Sequence, residues 1–401
     1  ASAQKKAVIA YYSGGLAAID SFNAKNFTHI IYCFGRLNGN DLKLRGEKDT
    51  LLIKKMVAMK KQNKDLKVLL SLGGWGGCAP CSDVFGTAKG REDFVASVKS
   101  LTDYFGSDGI DLDWEYPNAC GLSCGSAEDR ANFTALLAEF RRQLIAVRPG
   151  LLLTVAVGAG VDKIAATDPG QYAQHLDFIN IMSYDFHGTW EPRTNHHSAL
   201  FDSPNDPSTG DIRLYNSNDA VEAFLQRGVP ASKLNLGIGF YGRGWTNVPN
   251  VNNGLYQSGS AAAGTYEAGN EDYRVLKNLA WPSFIDPVAR AHWIYNGTTF
   301  WSFDNPAIIT EKMNYTKVQG LGGAFFWELS GDDAQGTAQV KHRGAQWTAV
   351  CTTTAAPTPG AHRHRHASLH RPRSLPRPWP HRPPGQTETD SGCCDPQTVH
   401  S

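Results

Sequence analysis

The amino-acid sequence predicts an α/β fold, a (β/α)8 TIM barrel with a small α+β insertion domain and a disordered C-terminal tail. Three observations carry this. Eight short β-rich apolar runs recur along the chain, amphipathic stretches at helical spacing lie between them, and no G-x-G-x-x-G follows the first run. Strands that alternate with helices pair in parallel, and eight such units are the number that closes a barrel rather than an open doubly wound sheet.

The predicted strands run from Ala7 to Ser13, His29 to Leu37, Lys67 to Trp75 and Gly109 to Tyr116, then from Leu151 to Gly158, Phe178 to Phe186, Leu234 to Gly242 and Gly322 to Ser330. Helices are predicted from Thr50 to Asn63, Arg91 to Tyr104, Glu128 to Val147 and Asn218 to Arg227. The interval between the last two strands is far longer than one helix needs. We therefore read residues 1–242 as the first part of the barrel and 243–306 as an inserted α+β module with strand-like pieces from Ala291 to Tyr295 and Thr299 to Phe303. Residues 307–351 complete the barrel. Such a module is expected to rise from the C-terminal face, where barrel active sites lie, and to deepen a cleft there.

After Cys351 the composition changes to Thr and Pro, then to Arg, His and Pro with few apolar residues, so residues 352–401 have no means of building a core. A Thr/Pro-coding repeat read out of frame would yield this mixture. The formal net charge is +1, and this tail contributes six Arg against three acids. The remaining body is weakly acidic, which offers nothing to nucleic acid or an anionic membrane. No run approaches a membrane span. The chain opens Ala-Ser-Ala-Gln without Met, which reads as a processed N-terminus, and export is expected.

Cysteine usage agrees with export. Cys78 and Cys81 follow one predicted strand, and Cys120 and Cys124 follow the next. Zinc is one reading of such pairs, but disulfides that pin loops suit a secreted protein better. Which cysteine pairs with which stays open at this level. Cys33, inside an apolar strand, reads as a buried free thiol, and Cys393 and Cys394 belong to no recognisable framework.

The chemistry concentrates in Gly109-Ile-Asp-Leu-Asp-Trp-Glu-Tyr-Pro117. Side chains alternate along a strand, so Asp111, Asp113 and Glu115 share one face while Ile110, Leu112 and Trp114 pack on the other. Acids spaced about 7 Å apart on one strand raise one another's pKa, so a proton is retained near neutrality for use in acid catalysis. At the strand's C-terminal end Glu115 lies at the mouth, with Asp113 and Asp111 progressively deeper. A retaining glycosidase ordinarily needs a second carboxylate across the sugar, roughly 5 Å from the acid. Asp113 approaches from the same side as Glu115, so the nucleophile comes from another strand or from the substrate. A calcium loop would need a Gly after its third acid and a flexible turn, whereas Leu112 and Trp114 demand strand packing. Asp108 precedes the strand and reads as a turn or capping residue.

Asp108-Gly-Ile-Asp-Leu-Asp-Trp-Glu115 resembles the D-x-x-D-x-D-x-E signature of family 18 glycoside hydrolases, the chitinases. Ser71-Leu-Gly-Gly-Trp75, Met182-Ser-Tyr-Asp185, Phe240-Tyr-Gly-Arg243 and Phe326-Trp-Glu-Leu329 resemble four more of their strands, in order, between about Lys6 and Val340. The resemblance implies hydrolysis of β-1,4-linked N-acetylglucosamine with the substrate's own acetamido group as nucleophile. It assigns proton transfer to Glu115, acetamido orientation to Asp113, tuning from below to Asp111 and Ser71, and acetamido contacts to Tyr184 and Asp185. Trp327 would floor the site of cleavage, and Tyr11, Phe34, Trp75, Trp190, Tyr241 and Arg243 would line the groove, with Met182 packing below. For each inward aromatic the ordinary alternative is core packing. Cis peptides at Cys33–Phe34, Glu115–Tyr116 and Trp327–Glu328 are implied as well. The partners implied are chitin and chitooligosaccharides, the substrates of a secreted monomer with no cofactor and no metal. Two alternatives stand beside this: an endoglycosidase of N-glycans, and a chitin-binding lectin, which an intact Glu115 disfavours.

Overall fold

The structure, a computed structural model, describes residues 6–333. The expected tail, with Cys393 and Cys394, lies outside the described residues, as do residues 334–351 of the predicted barrel end. Eight parallel strands close on themselves. They are β1 (Ala7–Tyr12), β2 (His29–Asn38), β3 (Lys67–Gly73), β4 (Gly109–Asp113), β5 (Leu152–Gly158), β6 (Phe178–Met182), β7 (Leu234–Gly239) and β8 (Gly323–Trp327). Each pairs with its sequence neighbours, and β8 returns to β1, so the predicted barrel is present. No helix among the described residues is long and apolar enough to cross a membrane.

Alternation along each strand divides the core in two. Outward residues such as Ile110, Leu112 and Trp114 join Phe85, Phe94, Phe133 and Leu136 of the surrounding helices. Trp114 lies 5.5 Å from Phe85 and 6.0 Å from Phe133, ring to ring, which anchors the acidic strand from behind. The helix Ala88–Phe105 starts three residues before its predicted position, because the Thr87 hydroxyl accepts from the Gly90 amide and caps it.

Several strands end earlier than predicted, and the cause is backbone geometry. β3 stops at Gly73, whose φ of +115° only glycine adopts readily. A Cβ there would lie 1.9 Å from the Asp113 carbonyl oxygen, so the S-x-G-G run permits β3 to close onto the acidic strand. β4 stops at Asp113, which puts Glu115 on the loop beyond it. β6 stops at Met182, and Asp185 takes a left-handed φ of +55°. The peptide bonds Cys33–Phe34, Glu115–Tyr116 and Trp327–Glu328 are cis. All four candidate cysteines are in disulfides, Cys78–Cys81 and Cys120–Cys124, which removes the zinc reading, and Cys33 is a buried free thiol.

Between β7 and β8 the chain forms a second, antiparallel sheet of six strands. It starts at Tyr241 rather than at residue 243, because Tyr241–Thr246 pairs with Asn270–Asp272, Phe300–Phe303 and Ser260–Ala261. Ala291–Tyr295 and Ser283–Asp286 complete it. Trp245, Trp293, Tyr295 and Phe300 supply its own small core.

A buried ion pair fastens this sheet to the barrel. Lys312, on the helix Pro306–Val318, donates to Asp304 Oδ2 at 2.6 Å and to the Ser198 carbonyl at 2.6 Å. Asp304 also accepts from the Ser198 hydroxyl at 2.9 Å. Burial lowers the Lys312 pKa even against the pull of Asp304. Removing one partner of a buried pair strands the other, so Lys312→Met is expected to cost about 3–5 kcal/mol in urea unfolding. Lys312→Met combined with Asp304→Leu should restore a good part of that loss, and a double variant no more stable than the single one would refute the assignment.

Candidate active site

The three acids, Asp111 and Asp113 on β4 and Glu115 just past its end, occupy three depths. Asp111 is 0% exposed, Asp113 is 4% exposed and Glu115 is partly exposed beyond the strand end. In the barrel register Ser71, Asp111 and Thr154 are cross-strand neighbours. Accordingly Asp111 Oδ2 accepts from the Ser71 hydroxyl at 2.8 Å, and Oδ1 accepts from Thr154 at 2.5 Å and Tyr11 at 3.0 Å. Burial pushes its pKa up to about 6, with the three donors pulling the other way.

Asp113 has no such cradle. Its Oδ1 has no hydrogen-bond partner among the described residues, and burial, then the charges of Glu115 and Asp111, raise its pKa well above the usual carboxylate range. Burial and the negative charge of Asp185 push Glu115 up to about 7, against a hydrogen bond with Tyr116. The upper two acids therefore hold a proton near neutrality, with Glu115 in reach of a ligand.

Asp185 is electrically the opposite. Burial alone would raise its pKa, but Arg243 from the second sheet grips it with Nε at 2.7 Å and Nη2 at 3.0 Å and holds it well below the usual range. Burial lowers the His197 pKa, so the neutral ring accepts at Nδ1 from the Asp185 amide at 3.2 Å. The Arg243 guanidinium also lies over the Trp190 ring at 5.2 Å and the Tyr241 ring at 5.4 Å. Tyr241 packs edge-on to Tyr184 at 6.0 Å, and burial raises the Tyr184 pKa, so its phenol keeps a proton to donate.

The aromatic candidates separate into exposed and buried sets. Trp75 is 63% and Trp190 58% exposed. Phe34 stacks on Trp327 at 5.4 Å with 20° between planes, and both are partly exposed. Met182 is buried. Tyr11 departs from its expected position. It is buried beneath Trp327, at 6.1 Å, and spends its hydroxyl on Asp111, so it supports the floor instead of lining the groove. Asp108 accepts from the Val68 amide at 2.8 Å and pairs with Lys60 and Lys67, a structural role as expected.

The sequence reading missed a polar chain under this site. Asn235 Nδ2 donates to Asn180 Oδ1 at 2.9 Å, and Asn180 Nδ2 donates to the Tyr11 hydroxyl at 2.8 Å. Because Tyr11 accepts from Asn180, its single proton is directed to Asp111. The signal was there in each case: Thr154, Asn180 and Asn235 are lone polar residues inside otherwise apolar strands. His197 carried no comparable signal, since it sits in the long connection between β6 and β7.

The sequence model of Glycosyl hydrolases family 18 matches residues 7–332. Chitinase C of Streptomyces lividans is 37% identical over 368 residues, which are 84% of this chain and 57% of that protein. Chitinase 63 of Streptomyces plicatus is 42% identical over 287 residues, 69% of this chain and 45% of that protein. The chain thus spans about half the length of these curated relatives. Among solved structures, the catalytic domain of psychrophilic chitinase B from Arthrobacter TAD20 superposes with a TM-score of 0.77 at 30% identity, covering 86% of this chain and 96% of that one. Ostrinia furnacalis Group IV chitinase in complex with allosamidin gives 0.77 at 31% identity, covering 83% and 94%. The matched region contains the closed barrel, the acidic strand and the second sheet, and this chain belongs to glycosyl hydrolases family 18.

Proposed function

We propose that the chain is a secreted chitinase that hydrolyses β-1,4 linkages in N-acetylglucosamine polymers with retention of configuration, through an oxazolinium intermediate formed by the substrate. The observation that carries this reading is the division among the carboxylates. Glu115 holds a proton and is reachable, Asp113 stands on the same side of it, and Asp185 is bound to Arg243. None of these three carboxylates is placed to attack from the opposite face, which favours the acetamido oxygen of the sugar itself as the nucleophile.

In this scheme Glu115 protonates the leaving oxygen as the acetamido oxygen attacks the anomeric carbon, then takes a proton from the water that opens the ring. Asp113 accepts from the acetamido N–H and offsets the positive charge that develops there. The Tyr184 phenol donates to the acetamido oxygen, and Asp185, held by Arg243, offers an oxygen to the sugar. Asp111 and Ser71 tune Asp113 from below, with Tyr11 as an added donor to Asp111. Trp327 would floor the cleavage point, with Phe34 stacked behind it. Trp75, Trp190 and Tyr241, with Arg243, would bind the remaining sugars. The second sheet and two exposed tryptophans suit a linear chain better than a branched N-glycan, and they support a place in the chitinase subgroup with an α+β insertion between the last two barrel strands. We place the protein outside the cell as a monomer, acting on chitin and chitooligosaccharides without a cofactor and without nucleic-acid or membrane partners.

Glu115→Gln should abolish turnover of a chitin hexamer, and the wild type should release β-anomer first; initial α-anomer would remove the mechanism. Asp113→Asn should lower kcat at least about 10²-fold, as loss of an oriented charge at a developing cation does. The raised pKa of Glu115 sets the sign of the pH dependence. A general acid works only while protonated, so kcat/KM should fall as pH rises through about 7, the point to which burial and Asp185 push this group. A profile flat across neutrality would show that another residue donates the proton.

A further inference from the structure

We propose that the loop closed by Cys120–Cys124 is a mount for Trp75, fixing the angle at which this indole meets a sugar ring beside Glu115 and so favouring long chains over short ones. This deepens the chitinase reading and rests on it. Trp75 is among the most exposed large apolar side chains of the described residues and lies two residues past the end of β3. An unsupported indole there would have to be ordered each time a sugar docks, and ordering it beforehand improves binding.

The loop supplies that order from two directions. A Cβ on Gly121 would lie 2.6 Å from the Glu115 carbonyl oxygen and 3.2 Å from the Trp75 ring, so the loop backbone is wedged between the proton donor's segment and the indole. Leu122 reaches the flank, 2.7 Å from where a Gly76 Cβ would stand, and is itself exposed. The loop is short and closed, with Gly121 donating to the Ser123 carbonyl at 2.9 Å and Gly125 to the Ala119 carbonyl at 2.9 Å, besides the disulfide.

Its base is fastened to the segment on the other side of Trp75. The buried Asp129 accepts at Oδ2 from the Ser126 amide at 2.7 Å and from the Ser82 hydroxyl at 2.7 Å. Ser82 follows Cys81, whose disulfide to Cys78 closes the turn that begins at Trp75. One carboxylate thus joins both disulfide loops around one indole. The two bridges differ in access, since Cys78 and Cys81 are buried while Cys120 and Cys124 are exposed.

The test is a double-variant cycle on the full chain with a chitin hexamer. Cys120→Ser with Cys124→Ser should raise KM by about fivefold to tenfold, the size of one disordered aromatic contact, with kcat within about twofold. Trp75→Ala should cost much less in that background than in the wild type, because the two changes remove the same contact. Leu122→Ala should raise KM in the same direction by less. Should the serine variant fold poorly by near-UV circular dichroism, wild type treated with dithiothreitol, with alkylation mapped to Cys120 and Cys124 alone, replaces it and should show the same KM rise. Additive effects of loop and Trp75, or an unchanged KM after selective reduction, would overturn the proposal while leaving the chitinase reading intact. A wild type inert toward the hexamer would sink both.

Discussion

A carboxylate buried at the centre of the barrel is the constraint on which the site is built. Asp111 receives hydrogen bonds from Tyr11 on β1, Ser71 on β3 and Thr154 on β5, so one side chain ties together three strands. A buried carboxylate without such donors would be costly, and each donor can reach it only if its strand keeps register. The register that satisfies Asp111 is the one that carries Asp113 and Glu115 upward to the mouth. Placing Glu115 is therefore a by-product of satisfying an acid that has no exposed surface of its own. Behind the same strand, Trp114 against Phe85 and Phe133 opposes any slip.

Above that base the site separates two kinds of acid. Burial pushes both Glu115 and Asp113 toward the protonated form, helped by the charge of Asp185 on Glu115 and of Glu115 on Asp113, and Asp185 is pulled toward the ionised form by Arg243. Such opposed environments allow neighbouring carboxyl groups to take different parts in one reaction. The separation rests on chain distant in sequence, because Arg243 is provided by the second sheet.

How much of this was legible in the sequence depends on the range of the interaction. The acidic ladder was readable because strand alternation is local: three acids two residues apart must share a face. The barrel followed from eight repeated units. Strand ends were misplaced where the backbone leaves the β region, at Gly73 and around Asp185, which no apolar pattern encodes. Tyr11 was given to the groove because an aromatic at a strand end looks the same whether it faces a ligand or a carboxylate beneath one. The Asp185–Arg243 and Lys312–Asp304 pairs and the Asn235–Asn180–Tyr11 chain depend on contacts between separate elements. Only the isolated polar residues in apolar strands hinted at the last of these.

The grip of Arg243 on Asp185 has an evolutionary consequence. Modules inserted between the strands of a barrel ordinarily grow, shrink or vanish independently of it as lineages diverge. Here the groove wall carries the counter-charge of an acid that lies on the barrel. A lineage that trimmed the wall would leave an unneutralised charge beside Glu115 and drive the pKa of that acid higher still. Wall height and acid strength are thereby inherited together, and a shallow-grooved descendant would need to replace Asp185 in the same step.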